Sequence, residues 1–373
     1  MRIATLQFAP KLGDVEGNIQ QANELLQHGK LLGSGGPGTG IRTLRPDILV
    51  LPELALTGYN FPSLDAIKPY LERMGQGPST NWAQETAKQY QCKVCVGYPE
   101  IEKTDATQGS PSGEKEKCYN SLLVVDENGE VILNYRKTFL YYTDETWAAE
   151  GNAKRSFHEL TLTNKGQGPG SKVATSFGIC MDINPYRFEA PFTDWEFANR
   201  VLDSKTQLVV LSMAWLTLLS REELASLANK PDMDTFNYWI QRFIPLIRKK
   251  MGHDFDIDNA SETESDRRIV IVFANRVGEE QGSDGASLAR YAGTSAIIAI
   301  RQRLLPVSAD QRSKTRVEKS PDEPEDGDRA KEEMPPMDVK IHCWNMMGAA
   351  TEGICFADTT TDPNIVFELV RRL

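Results

Sequence analysis

The sequence predicts an α/β fold, a layered sandwich of mixed sheets, and three observations carry that prediction. Strand-length apolar runs alternate with longer stretches of helical periodicity along the 373 residues, as in layered α/β architectures. "YNSLLVVDENGEVILNYRK" holds two strand-like runs joined at Asn128-Gly129, a strong hairpin signal that argues against a purely parallel sheet. "PDILVLPE" is apolar almost throughout, as expected of a strand buried on both faces.

Taken in order, "RIATLQFA" is the first strand, and "GDVEGN" leads into a helix near Asn18–Leu32. "PDILVLPE" follows, and a helix around Asn81–Tyr90 precedes the strand "CKVCVGYPE". After the hairpin, "SKVATSFGIC" is a strand ending near Cys180, and a helix is expected near Asp194–Leu202. The strand "QLVVLSMAW", a long amphipathic helix over Met233–Lys249, and the strands "RIVIVFANRVG" and "GTSAIIAI" complete the pattern. Three stretches read as surface insertions: "GSGGPGTG", "EKTDATQGSPSGEKEK", and a charged segment near 308–336 almost free of large apolar residues. The last is expected to be disordered. Apolar character returns at "VKIHCWNMM", so residues 1–373 are expected to form a single domain around one core.

Composition narrows the function. Net charge is −10 and no Lys/Arg block is interleaved with aromatics, which argues against nucleic acid as a partner. No run reaches membrane-span length, and the N-terminal run lacks the features of a secretory signal. Six cysteines in a chain of this length do not make a disulfide scaffold, so a soluble cytoplasmic protein is expected. The four histidines are scattered, and the C-x-x-C of Cys92 and Cys95 has no second pair at zinc spacing. No metal site is expected, and those two cysteines read as strand residues.

The chemistry-bearing residues stand at strand ends. Cys180 closes an apolar run before "MDINPYRFEAP", and taken alone it is either a buried thiol or a nucleophile. Glu53 follows Leu-Pro at the end of a buried strand, where burial raises a carboxyl pKa toward the range useful for proton transfer. Lys137 ends the hairpin and precedes an aromatic loop, with Glu145 eight positions on as an acid that could anchor it.

In sequence order, "ATLQFAPKLGDVEGN", "LVLPELALTGY", "YRKTFLY" and "GICMDINPYRFEAP" resemble the nitrilase superfamily, and "FANRVG" and "YAGTSAIIAI" resemble its closing strands. The resemblance implies an α-β-β-α sandwich that hydrolyses amide or nitrile C–N bonds without metal or organic cofactor. It implies a catalytic set of Cys180 as nucleophile, Lys137 and Glu53, with Glu145 as the second carboxylate. The chain departs from many relatives after the cysteine, with Met181 and a displaced proline in "RFEAP". Within the superfamily, "YRKTFLYYTDETW" and the cysteine motif are most similar to a fungal branch acting on N-terminal Asn or Gln side-chain amides, upstream of the N-degron pathway. That implies the N-terminal segment of a protein or peptide as partner, and carboxylates beside the substrate's α-ammonium. Asp144, Asp182 and Glu189 are the acids next to the motifs. A homodimer packed sandwich to sandwich is the assembly such relatives suggest. Two other readings stand beside this one. The first is a superfamily amidase for a free small-molecule amide or carbamoyl compound, and the second is a non-catalytic binding protein.

Overall fold

The computed structural model describes residues 1–30, 38–104, 115–162, 170–227, 229–249, 251, 266–282, 285, 287–304 and 337–368. Residues 31–37 of the glycine-rich loop, residues 105–114 of the polar insertion and the charged segment near 308–336 lie outside these residues.

Two mixed sheets face each other. In spatial order the first is Gly353–Asp358, Arg2–Gln7, Ile48–Val50, Lys93–Thr104, Lys115–Val125 and Val131–Arg136. The second runs Ile365–Glu368, Met337–Met346, Ala296–Leu304, Asp266–Ala274, Leu208–Ser212, Ser171–Ile179 and Phe157–Leu162. Successive side chains of a strand point to opposite faces, and the core divides accordingly. Leu6, Leu49, Val94 and Val96 pack under the helices Val15–His28 and Pro78–Tyr90. Ile3, Ile48, Val50 and Cys95 turn the other way and share a core with Phe177, Val210 and Val272 of the second sheet. Phe197, Phe236, Trp239 and Phe243 cover the far side of that sheet from their helices. The result is the α-β-β-α layering implied by the motifs, and "VKIHCWNMM" does rejoin the core as Met337–Met346.

Local chemistry sets the element ends. Asp14 caps Val15–His28 by accepting from the Gly17 N–H at 3.1 Å, and Gly29 ends the helix at φ +76°. The hairpin closes through Gly129 N–H donating to Asp126 O at 2.9 Å, with Gly129 at φ +83°, where its missing Cβ matters. The long helix expected over Met233–Lys249 is instead two, Met233–Arg242 and Ile244–Arg248. Pro245 lacks an N–H and cannot continue the preceding ladder, so the chain bends at Phe243.

In each sheet three neighbouring strands are parallel: Arg2–Gln7, Ile48–Val50 and Lys93–Thr104 in the first, Ser171–Ile179, Leu208–Ser212 and Asp266–Ala274 in the second. The carboxyl ends of parallel strands are where open sheets place their ligands. Here the two sheets are stitched together at that end. Ser212 Oγ donates to Leu51 O at 2.9 Å, and Glu53 N–H donates to Met213 O at 3.3 Å.

Candidate active site

Cys180 follows directly on Ile179, the last residue of its strand, and opens a short 3-10 turn, Cys180–Ile183. Its φ is +39°, a left-handed value uncommon for a non-glycine residue. Such strain persists only where the surroundings hold it in place, and it concentrates at functional sites. Among the cysteines only Cys180 is on a cavity wall described below; Cys92 and Cys95 are both wholly buried, Cys95 in the strand Lys93–Thr104 as expected and Cys92 in the bend just before it.

Opposite Cys180 is a closed group of four side chains from the first sheet and the segments that follow its strands, all 0% exposed. Lys137, the residue after the strand Val131–Arg136, donates through Nζ to Glu53 Oε1 at 2.5 Å and to Asp144 Oδ2 at 2.6 Å. Asn120 bridges the same two carboxylates, its Nδ2 donating to Glu53 Oε1 at 2.7 Å and to Asp144 Oδ1 at 3.0 Å. The other Glu53 oxygen accepts from the Ala214 N–H at 2.9 Å, a donor that also faces the Cys180 thiol. Tyr59 closes one side, with its hydroxyl 3.3 Å from Asp144 Oδ2 and its ring centroid 5.7 Å from Lys137 Nζ. An ammonium has three N–H donors, and two of Lys137's are held by carboxylates. The third is left for a ligand.

The charges of this group act on one another. Burial pushes the Glu53 carboxyl up from its ordinary range, and the neighbouring Lys137 ammonium opposes that rise. Burial alone would lower the Lys137 ammonium, but the carboxylates of Asp144 and Glu53 outweigh it, so Lys137 stays charged. Cys180 is pushed well up by burial and by Glu53, against Lys137 and the Ala214 N–H. A thiol that rests protonated beside a carboxyl with raised affinity for protons is arranged to pass its proton across as it reacts.

Cys180 opens into a cavity of about 500 Å³. Tyr59, Tyr141, Trp215 and Tyr238 supply its aromatic walls, and two acids, Asp232 and Asp234, line it from the start of the helix Met233–Arg242. No group of three or more His, Cys, Asp or Glu suited to a metal occurs among the described residues. The donor set around Lys137 is already saturated by an ammonium and an amide.

Residues 2–184 match the carbon-nitrogen hydrolase family model. Across 316 residues the chain is 33% identical to a protein N-terminal amidase of Schizosaccharomyces pombe, covering 81% of this chain and 92% of that relative. The chain belongs to the carbon-nitrogen hydrolase family. A protein N-terminal amidase of Saccharomyces cerevisiae is also 33% identical, over 61% of this chain and 48% of its own length. Among solved structures, an N-terminal amidase with a Gln-Val peptide superposes with a TM-score of 0.63 at 22% identity. The match covers 100% of this chain and 99% of that one, a likeness of fold.

The structure gathers Glu53, Lys137 and Cys180 at one place, as the family motifs imply, but corrects the acids around them. Glu145 is exposed, and the carboxylate on Lys137 is that of Asp144. Consecutive helical residues point about 100° apart, so in the turn Tyr142–Glu145 only one of the two faces inward. Asp144, expected beside an α-ammonium, is instead committed to Lys137, Asn120 and the Tyr141 N–H. Asp182 is not free for substrate either. It is buried, and it accepts from Tyr135 Oη, Thr138 N and Oγ1, Phe139 N and Ile179 N at 2.6–3.0 Å. It therefore ties the Cys180 turn to the Lys137 loop. Glu189 is exposed and does not line the cavity.

Asn120, Asp232 and Asp234 were not singled out from the sequence. A signal for Asn120 was present: "CYNSLLVV" places an amide inside a strand, where Asn is depleted. Asp232 and Asp234 carried no comparable signal, since acids that begin a helix are ordinary caps.

Proposed function

We propose that this chain is an N-terminal amidase that hydrolyses the side-chain amide of an N-terminal Asn or Gln to Asp or Glu, releasing ammonia. The observation that carries the reading is the buried Glu53–Lys137–Asp144 group facing Cys180 on a cavity with an acidic wall. The two fungal relatives of that name support it.

In this mechanism ionised Glu53 takes the Cys180 proton while Sγ attacks the amide carbon, so a C–S bond forms and an oxyanion develops. The free Lys137 N–H meets that oxyanion, in a water-poor site where such a contact is worth most. The C–N bond then breaks, Glu53 returns the proton to the departing ammonia, and a thioester remains. Glu53 next takes a proton from water as it attacks the thioester, and the carboxylate product leaves with the thiol restored. Asp144 and Asn120 hold Lys137 and Glu53 in place throughout. No step needs a metal or organic cofactor.

The terminal residue differs from an internal Asn or Gln by its α-ammonium. With Asp144, Asp182 and Glu189 otherwise placed, Asp234 is the exposed acid on the cavity wall, and Asp232 adds its charge there while capping its helix through Asp234 N, Thr235 N and Thr235 Oγ1. A cytoplasmic site of action fits the six cysteines, none of which is in a disulfide. Among the described residues no helix is long and apolar enough to cross a membrane.

The test is ammonia release from matched Asn-initiated peptides, free or acetylated at the N-terminus. Acetylation removes the charge that the acidic wall would hold, so the free peptide should be turned over about a hundredfold faster, on the order of one strong charge-assisted hydrogen bond. Equal rates would defeat the N-terminal reading and favour an amidase for small amides.

A further inference from the structure

The mouth of the Cys180 cavity is apolar where a soluble surface is usually polar. Leu218 is 104% exposed, Tyr142 61% and Phe188 44%. Leu218 and Phe188 line the cavity itself, together with Leu216 and Leu219. Tyr142 continues the surface outward, its ring 5.9 Å from that of Phe188 and 5.0 Å from that of Tyr141. Phe188 is also held there at a cost. Arg187 and Phe188 have φ of +54° and +56°, two consecutive left-handed residues without glycine. The chain accepts that strain in the loop that carries an aromatic ring to the cavity rim. Among the described residues that line the cavity there is no Lys or Arg, while Asp232 and Asp234 are present.

Contiguous exposed apolar surface marks an interaction site, and here its position names the occupant. That occupant follows from the N-terminal amidase reading. With the first residue's amide at Cys180, the rest of the substrate must leave through the mouth. Successive Cα atoms are about 3.8 Å apart, so the second side chain lies at the rim. We propose that Phe188, Leu218 and Tyr142 form the docking surface for the second residue of the substrate, and that it selects large apolar side chains over acidic ones. An apolar side chain there leaves water against the aromatic and leucine rim. An acidic one would face the same rim with no Lys or Arg among its lining residues, Arg187 being turned toward Glu150 at 3.8 Å, and with Asp234 on the wall.

The test uses four peptides with free N-termini, identical except for Leu, Phe, Gly or Asp after the initial Asn. Values of kcat/KM are read from ammonia release by the full chain. Partial burial of one large apolar side chain predicts that Leu and Phe exceed Gly by about tenfold, with Asp lowest. Leu218→Ser and Phe188→Ser should each shrink the Leu-to-Gly ratio, with melting temperature as the control for folding. Equal kcat/KM on all four peptides while ammonia is released overturns the rim proposal and leaves the amidase reading standing. Ammonia from none of them defeats both. A dimer in sedimentation that Leu218→Ser dissociates would assign the rim to a second copy of this chain, and that too overturns the proposal.

Discussion

Asn120→Ala isolates what holds the carboxylates around Lys137. The Asn120 Nδ2 donates to Glu53 Oε1 at 2.7 Å and to Asp144 Oδ1 at 3.0 Å, whereas its Oδ1 is buried without a partner. Alanine therefore removes two useful donors and one costly acceptor, so the fold loses little. The electrostatic effect is different in kind. A hydrogen bond to a charged group is worth roughly 1.5–3 kcal/mol, and 1.36 kcal/mol corresponds to one pH unit in a pKa. The missing donor stabilised the ionised form of Glu53, so its removal raises further a carboxyl that burial already pushes up. Glu53 must be ionised to take the Cys180 proton, so the acidic limb of kcat/KM against pH should move upward by about one pH unit or more. The assay is ammonia release from one Asn-initiated peptide over pH 5–9, alongside thermal unfolding. A lower rate with an unmoved acidic limb would refute the reasoning and leave Asn120 as packing alone.

Other perturbations have equally definite outcomes. Cys180→Ser should keep its melting temperature and lose essentially all turnover, because Glu53 cannot readily deprotonate a hydroxyl; alkylation of the native protein should reach Cys180 before the buried Cys92 or Cys95. Lys137→Met removes the oxyanion contact and leaves two buried carboxylates facing each other, so turnover should fall by about 10²–10³ or more in single-turnover measurements. Asp182→Asn would turn an amide donor toward Ile179 N–H or the Thr138–Phe139 donors. It should cost about 1–3 kcal/mol in urea unfolding, and lower kcat more than it raises KM. Glu72 is a pH-sensitive group away from the site. Burial raises its carboxyl to about 7, against its hydrogen bonds from Ser79 at the start of the helix Pro78–Tyr90. Its folded pKa lies above the unfolded value, so its contribution to stability is present below the unfolded pKa and is lost as pH rises through about 7. Glu72→Gln should therefore flatten the fall in melting temperature between pH 5 and 8.

The sequence by itself determined the layering and singled out the residues that the structure brings together, because both are written in short contiguous stretches. Apolar runs of strand length and helical periodicity encode burial directly, and Glu53, Lys137 and Cys180 each close such a run. The Asn128-Gly129 turn is likewise a two-residue property, set by φ. What only the tertiary structure decided is which side chain meets which across the two sheets. Asp144 and Glu145 are chemically near-equivalent neighbours, and the direction of a single helical turn chose Asp144 for Lys137. Asp182 looks like a spare acid in the sequence, but five donors from two separate stretches of chain, Tyr135–Phe139 and Ile179, converge on it. Asp232 and Asp234 stand 52 and 54 positions after Cys180. They line its cavity only because the helix they begin packs on the second sheet, where Tyr238 Oη donates to Asn184 Oδ1 and Arg242 Nε to Ile183 O at the end of the Cys180 turn. Burial and strand length are local signals. The partner of a charge is a long-range fact, fixed by how the sheets pack.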